Sequence, residues 1–472
     1  MLRRIRELSS DALIYGASSM LAQMAGFLLL PLYTAYLTPY DYGVLAMLAI
    51  VTALFLPIFG AGLPPGVFRF TSRAKSKRSR RRIVSTAFWA VLGSATAGLV
   101  LLLAISPWFS AILVDDAPVL YLAVTLISAW LTCLSEIPLV IFRLERKVIR
   151  VAAVSFVSLF ATTLVTIFLV VFREIGVIGC VWGLFAGAVV QFGSCMCLTY
   201  RSIDLRLRAR QLKILVNYGI WFVPHQVQAL GLAYLAQFLV KSWVSIEAAG
   251  LYNVALKFVL PFYLIVNSVQ KAWKPIKFQI HSSDSDPPKV FRGIMSLYVA
   301  ATTTIYFITA VVGPSFLEWY ISPNLAAASG LVPFIALIPL AHGLYFMLAT
   351  GIEFSTRPKA MPLVASLGLA ALMLASPLIG EFGATGAAVA TAFAWLTMGI
   401  FIYFLARRVF AISYDWILVS SLLAFSIFAA ICLSGAGFGL VPLGAISLAY
   451  LCLMWVFVAV RVRSAASLFR AP

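Results

Sequence analysis

Four ionisable side chains lie inside long apolar stretches of this 472-residue chain. Lys257 and Glu136 are well inside their stretches, whereas Asp11 and Glu353 lie near the ends of theirs. A charge at the centre of a bilayer costs about 2.5–3.5 kcal/mol on insertion scales, so such residues usually face a cavity or a partner. Lys257 is therefore a candidate for binding an anion, and the three carboxylates are candidates for coupling transport to an ion.

Polar and aromatic residues recur at helical spacing in three of these stretches. The three sets are Asp11, Tyr15, Ser19 and Gln23; Asn217, Trp221, His225 and Gln228; and Asn253 with Lys257. Residues three or four apart share one face of a helix, so each set forms a stripe suited to lining a polar cavity. The alternative is hydrogen bonding between neighbouring helices. His225 is a further candidate for proton coupling, with packing or hydrogen bonding as its alternative role.

The composition predicts the elements that carry these residues. Hydrophobic residues make up 62% of the chain and charged residues only 11%, against about 25% charged in a soluble protein. Since each span needs about 20 mostly apolar residues, we predict an all-α polytopic membrane protein with about 14 transmembrane helices. The spans are expected near 11–36, 43–63, 83–107, 118–142, 151–172, 177–200, 214–240, 250–270, 294–313, 329–352, 362–379, 384–405, 417–434 and 440–460.

The net charge of +19 is unevenly distributed between these spans. All but three of the 35 lysines and arginines fall in the segments on one side, the exceptions being Arg173, Lys241 and Lys257. The positive-inside rule therefore predicts a multi-pass protein of the inner (cytoplasmic) membrane with both termini in the cytoplasm. The basic run 73–82 lies between two spans and is interpreted as a topology anchor facing anionic lipid, so no nucleic-acid partner is expected.

An internal repeat relates the two halves of the chain. Gly43 and Gly250 open equivalent apolar stretches, and so do Gly176 and Gly383; both pairs are separated by 207 residues. The repeat predicts two six-helix lobes, 1–213 and 214–406, around a central cavity, followed by an additional helix pair, 407–472. Parallel repeats that rock about such a cavity give alternating access.

The loops between the spans are short, the longest outer one being near 314–328. No segment is long enough for a catalytic domain, and no phosphate-binding loop or cluster of metal ligands is present. We therefore expect a secondary-type transporter, without enzymatic activity, metal or cofactor.

Several motifs resemble a known family. They are 16–26 (GASSMLAQMAG), 31–43 (PLYTAYLTPYDYG), 249–257 (AGLYNVALK), 270–275 (QKAWKP) and 382–391 (FGATGAAVAT). Together they resemble the polysaccharide transporter family, which includes the O-antigen (Wzx-type) lipid-linked oligosaccharide flippases. That family belongs to the multidrug/oligosaccharidyl-lipid/polysaccharide exporter superfamily.

The resemblance implies translocation of a polyprenyl-pyrophosphate-linked oligosaccharide, a precursor of O-antigen or exopolysaccharide. Membrane lipids and a glycan polymerase or other assembly protein are the implied partners. Lys257, Arg69 and Arg143 are then candidates for the pyrophosphate, although Arg69 and Arg143 would equally serve as topology anchors. The alternatives are a drug/cation antiporter of the same superfamily and, from another class, a membrane-embedded glycan polymerase or scaffold component.

Overall fold

The computed structural model describes residues 24, 26–74, 76–115, 117–145, 147–200, 203–204, 208–220, 222–283, 286–354 and 360–434. The chain divides into two compact units, Met1–Phe238 and Leu239–Pro472. Helices account for most of the described residues, and no strand occurs among them. The predicted final span, 440–460, lies outside the described residues.

The first unit is a bundle of helices. They are α1 (Leu30–Tyr36), α2 (Pro39–Phe59), α3 (Leu63–Arg73), α4 (Lys77–Ala104), α5 (Ser106–Val114), α6 (Val119–Leu144), α7 (Val148–Ile167), α8 (Val177–Thr199), α9 (Ala209–Gly219) and α10 (Phe222–Trp243), with a π-helical turn at Phe168–Phe172. The boundary between the units falls within α10, whose residues from Leu239 onward belong to the second unit.

The second unit is also helical. It contains α11 (Ile246–Ser283), α12 (Pro287–Val311), α13 (Gly313–Tyr320), α14 (Val332–Ile335), α15 (Leu337–Leu348), α16 (Ala360–Ala375), α17 (Pro377–Arg407) and α18 (Trp416–Ser434), with 3₁₀ segments at Pro323–Leu331 and Ala349–Phe354.

Ten helical segments of the described part are long and apolar enough to cross a membrane. Each overlaps one predicted span. At two further predicted spans, 214–240 and 362–379, the structure has α10 and a shorter apolar helix, Leu363–Ala375. The prediction of an all-α polytopic membrane protein is confirmed.

The helices of the first unit differ in how much of their surface is buried. In α6, 78% of the spanning window is buried, against 17% in α7 with its π-helical extension. The α6 helix packs against α2, α4 and α8 and so forms the core of the unit. The outer face of α7 carries Phe156, Phe160, Leu164 and Phe168, each more than half exposed and four residues apart. An apolar stripe of this kind suits contact with lipid.

The second predicted span, 43–63, ends earlier than expected and is followed by a separate helix. Thr38 and Asp41 form a reciprocal capping box that starts α2, and such caps satisfy the first unpaired amides of a helix. The helix ends at Phe59, and a turn at 60–62 leads into α3. Gly62 has φ +61°, a left-handed conformation that glycine adopts at little cost. The chain therefore changes direction and continues as a second helix.

Two glycines of the internal repeat share an unusual backbone conformation. Gly176 has φ +61° and ψ −138°, and Gly383 has φ +59° and ψ −135°. Residues other than glycine are strongly disfavoured in this backbone conformation, because their Cβ atom would clash with the main chain. Gly176 precedes α8 and Gly383 kinks α17, so positions 207 residues apart in the sequence make the same local turn.

The predicted outer loop 314–328 is folded in the structure. It forms α13 and most of the 3₁₀ segment Pro323–Leu331. The span that follows is broken around Pro333 and Pro339, whereas α6 and α11 continue through Pro138 and Pro261. Proline removes one backbone donor, and in membrane helices neighbouring groups often compensate for it.

The additional helix α18 is attached to the second unit. It packs along α12, and the Arg292 side chain donates hydrogen bonds to the main-chain and side-chain oxygens of Ser413, just before α18. Tyr403, Tyr414 and Trp416 cluster around the same connection. The first helix of the predicted additional pair therefore has a defined docking surface.

Candidate substrate-binding site

Arg69 lies on α3 against an aromatic pair from α9 and α3. Its guanidinium carbon is 4.5 Å from the centre of the Tyr218 ring, and Phe70 packs edge-on against the same ring at 5.5 Å. Stacking on an aromatic face fixes the plane of a guanidinium group, whose paired donors match the oxygens of a phosphate. The exposed Arg69 side chain is thus an oriented cation.

A close crossing of two backbones positions Arg69 and Tyr218. Gly62 precedes α3 and Gly219 ends α9, and both are buried. A Cβ atom built on Gly219 would lie 2.5 Å from the carbonyl oxygen of Gly62. Glycine is the residue that permits such contact. The crossing therefore holds α3 and α9 together one to two turns away from Arg69.

Two of the predicted residues are brought together on α6. A guanidinium nitrogen of Arg143 is 3.9 Å from a carboxylate oxygen of Glu136, and the two side chains are 36% and 25% exposed. They are two helical turns apart. The structure thus joins a candidate for substrate binding to a candidate for ion coupling, and the charge of each is partly neutralised by the other.

In the second unit, Asn253 and Lys257 share one face of α11, as predicted from their spacing. Both are half-buried. The helix continues past them without interruption to Ser283, so the amide and the ammonium group are held one turn apart on a rigid element.

The polar stripe predicted across 217–228 is divided between two helices. Asn217 belongs to α9, whereas Gln228 is half-buried on α10. Trp221, Asp11 and Gln23 are outside the described residues. His225 lies on α10 and Glu353 in the 3₁₀ segment Ala349–Phe354, but neither side chain is among those described.

A buried lysine in the second unit is not apparent from the sequence. Lys277 falls in a predicted cytoplasmic segment, but α11 extends through it and its side chain has no exposed surface. Its ammonium nitrogen lies 5.5 Å from the ring centre of Phe346 and 5.7 Å from that of Phe278. An aromatic face attracts a cation. The signal available in the sequence was Trp273, one turn earlier on the same face of the helix.

Trp273 forms a buried connection between α11 and the 3₁₀ segment after α15. Its Nε1–H donates a hydrogen bond of 3.1 Å to Oγ1 of Thr350. We expect Trp273→Phe to lower the free energy of unfolding by about 1 kcal/mol, because one buried hydrogen bond is lost. Thermal unfolding of the purified protein measures this, with Trp319→Phe as control because Trp319 is 77% exposed. Equal effects of the two changes would contradict the prediction.

The first unit also contains an apolar cavity of about 400 Å³. Side chains of α2, α4, α5 and α10 line it, and Tyr234 is the one lining residue with a polar side-chain group. Such a lining offers little to a sugar but suits a hydrocarbon chain.

The sequence profile of the polysaccharide biosynthesis protein family matches residues 35–326. The match covers more than half of the chain and includes the helices that carry Arg69, Glu136, Arg143 and Lys257. The chain belongs to the polysaccharide biosynthesis protein family. No curated protein matches the sequence.

Solved structures show which fold this polysaccharide biosynthesis protein has. The lipid II flippase MurJ in an inward closed conformation is similar with a TM-score of 0.73 and 12% identity, over 97% of this chain and 100% of that chain. An inward-facing multidrug resistance MATE family transporter of the MOP superfamily gives 0.64 and 12%, over 85% and 96%. A MOP superfamily transporter from Pyrococcus furiosus gives 0.57 and 14%, over 89% and 96%.

The profile match confirms the predicted family resemblance, and the solved structures confirm the fold class. The polysaccharide biosynthesis protein is a multi-pass membrane protein with the fold of flippases and transporters, and that fold accommodates about 14 transmembrane helices.

Proposed function

We propose that this protein translocates a polyprenyl-pyrophosphate-linked oligosaccharide across the cytoplasmic membrane by alternating access. The oriented Arg69 guanidinium is the observation that carries the proposal, because pyrophosphate is the one strongly anionic part of such a substrate. Membership of a polysaccharide biosynthesis family and a flippase-like fold support the same substrate class. In this proposal both termini are cytoplasmic, and a glycan polymerase is the expected partner.

The distribution of charge favours an anionic substrate over the cations exported by a drug antiporter. Among the predicted site residues whose side chains are described, Arg69, Arg143 and Lys257 are cationic and Glu136 is the single carboxylate. Arg143 partly neutralises that carboxylate. A site for organic cations would require the opposite balance of charge.

The apolar cavity of the first unit supports a lipid-linked substrate. A polyprenyl chain is hydrocarbon, and its transfer into an apolar cavity loses no hydrogen bonds. Arg69 lies on α3, which directly follows α2, one of the helices that line the cavity. Its aromatic partner Tyr218 lies on α9, which directly precedes α10, another lining helix. We propose that α3 and α9 bind the headgroup of the substrate and that α2 and α10 contact its hydrocarbon tail.

Glu136 and Arg143 form the proposed coupling element. Protonation of Glu136 would remove its attraction for Arg143, and the guanidinium would then be available to the substrate. We expect Glu136→Gln to abolish the dependence of flipping on a pH gradient, because the glutamine cannot ionise. Flipping by purified protein in liposomes, with and without a gradient, measures this. A variant that keeps the wild-type gradient dependence would exclude Glu136 from proton coupling.

The substrate itself is tested by depleting the protein from cells. Lipid-linked oligosaccharides should then accumulate in the cytoplasmic leaflet, where a membrane-impermeant sugar-modifying probe reaches them in opened vesicles but not in intact cells. Mass spectrometry of the trapped lipid would identify the glycan. An unchanged leaflet distribution combined with increased sensitivity to cationic dyes would instead indicate a drug antiporter.

A further inference from the structure

The first two turns of α4 carry an unfavourable arrangement of charge. Basic residues occupy five of its first six positions: Lys77, Arg78, Arg80, Arg81 and Arg82, and the first turn contains no acidic residue. The N-terminal end of a helix has a partial positive charge of roughly half an elementary charge, which favours anions and disfavours cations. The arrangement therefore destabilises the helix unless anions lie nearby.

Asp204 supplies one anion from the protein itself. Its carboxylate oxygen lies 2.9 Å from a guanidinium nitrogen of Arg81. The main chain of Asp204 is fixed to α4 independently of this ion pair: Trp89 Nε1 donates to its carbonyl oxygen at 2.8 Å, and its N–H donates to Ser85 Oγ at 2.7 Å. The carboxylate is thus held beside the basic end of α4.

Asp204 does not balance the positive charge around it. Arg82 lies within electrostatic range of Arg78 and Arg208, which repel it, as well as of Asp204, which attracts it. The Nε atom of Arg82 is buried and has no hydrogen-bond partner among the described residues, although buried donors are nearly always paired. Arg78, Arg81, Arg82 and Arg208, here called the basic cluster, therefore retain excess positive charge and an unpaired donor.

We propose that the basic cluster binds the phosphate of an anionic phospholipid of the cytoplasmic leaflet. Three of its arginines begin α4, a helix long and apolar enough to span the membrane, on the side that the distribution of lysine and arginine predicts to be cytoplasmic. Trp89 lies on the same helix, and tryptophan is enriched at the level of lipid headgroups. A headgroup phosphate supplies the missing anion and accepts paired donors from arginine.

The proposal is tested by measuring, with native mass spectrometry, how phosphatidylglycerol and phosphatidylcholine bind to the purified protein. The variant replaces Arg78, Arg82 and Arg208 by glutamine and keeps the Arg81–Asp204 ion pair. The control replaces three exposed arginines elsewhere, Arg150, Arg407 and Arg408. A basic residue next to a bound anionic headgroup contributes about fivefold to the affinity, so loss of the three cluster arginines should lower it roughly a hundredfold.

We expect the cluster variant to lose its preference for phosphatidylglycerol and the control to retain most of it. Equal losses in the two variants, or no preference in the wild-type protein, would overturn the proposal. A competition arm adds geranylgeranyl pyrophosphate at equal concentration. If that compound displaces phosphatidylglycerol from the wild-type protein but not from the cluster variant, the cluster is a site for the substrate headgroup and the assignment to phospholipid is wrong.

Asp204→Asn tests the same proposal without substitution of any arginine. The substitution removes the internal carboxylate that competes with a bound phosphate, while the two main-chain hydrogen bonds of residue 204 are retained. Affinity for phosphatidylglycerol should rise about fivefold, the effect of one charge at a membrane surface. Unchanged or weaker binding by a folded Asp204→Asn protein would contradict the proposal.

Discussion

Substitution of Arg69 by alanine is expected to reduce flipping of a lipid-linked oligosaccharide at least tenfold. A hydrogen bond to a charged group contributes about 1.5–3 kcal/mol, which corresponds to a factor of roughly 10 to 100. Arg69→Lys should retain part of the activity, since the charge remains but the paired donors are lost. Tyr218→Ala should resemble the lysine variant, because it removes the ring that orients the guanidinium. Flipping is measured with purified protein in liposomes.

The same assay applies to Lys257 in the second unit. Lys257→Ala should lose flipping and Lys257→Arg should retain some, because the anion needs a positive charge at this position. Arg173→Ala is the matched control: Arg173 is exposed and is predicted to lie on the outer side. Normal activity of both the Arg69→Ala and Lys257→Ala proteins would refute the assignment of these cations to the substrate.

The backbone crossing of Gly62 and Gly219 should tolerate no side chain. In Gly219→Ala the new Cβ atom would meet the carbonyl oxygen of Gly62 at 2.5 Å, and in Gly62→Ala it would clash with the carbonyl oxygen of Gly219. Overpacking of a core costs about 1–3 kcal/mol, and Gly62 adds about 1–2 kcal/mol for an alanine with positive φ. Both variants should unfold at lower temperature than the wild-type protein, Gly62→Ala more so.

Gly193→Ala is the matched control for this prediction. Gly193 lies within α8, and a Cβ atom built on it meets nothing within 4 Å, so alanine should be neutral or slightly stabilising there. Flipping should fall in the two crossing variants, since the turn that precedes α3 also positions Arg69. Unfolding temperatures equal to that of Gly193→Ala would show that the two backbones are not in close contact in the protein.

Much of this architecture could be predicted because membrane spans are encoded locally. A bilayer supplies no hydrogen bonds to an unpaired backbone, so an apolar stretch of about 20 residues must form a helix whatever its neighbours are. For the same reason, the spacing of Asn253 and Lys257 correctly predicted that they share one helix face, since α11 is continuous through both. The 207-residue offset predicted a repeat but no turn at Gly176 and Gly383; the shared left-handed backbone at these two positions is a finding of the structure.

Other features depend on contacts between residues far apart in the chain. The break between α2 and α3 places Arg69 on a separate helix, and the aromatic partner of Arg69 is Tyr218, almost 150 residues later. Lys277 looks like a loop lysine in the sequence, but aromatic rings from α11 and α15 enclose it. No periodicity within one segment contains this information.

By itself, the sequence determined the helical class, the positions of most spans and the set of candidate cations, since hydropathy and charge act within one segment. Only the tertiary structure decided which groups from distant segments meet: Arg69 with the Tyr218 ring, and Asp204 with Arg81. The physical reason is that a side chain's electrostatic environment depends on the elements packed around it, and that packing is set by steric contacts such as the Gly62–Gly219 crossing.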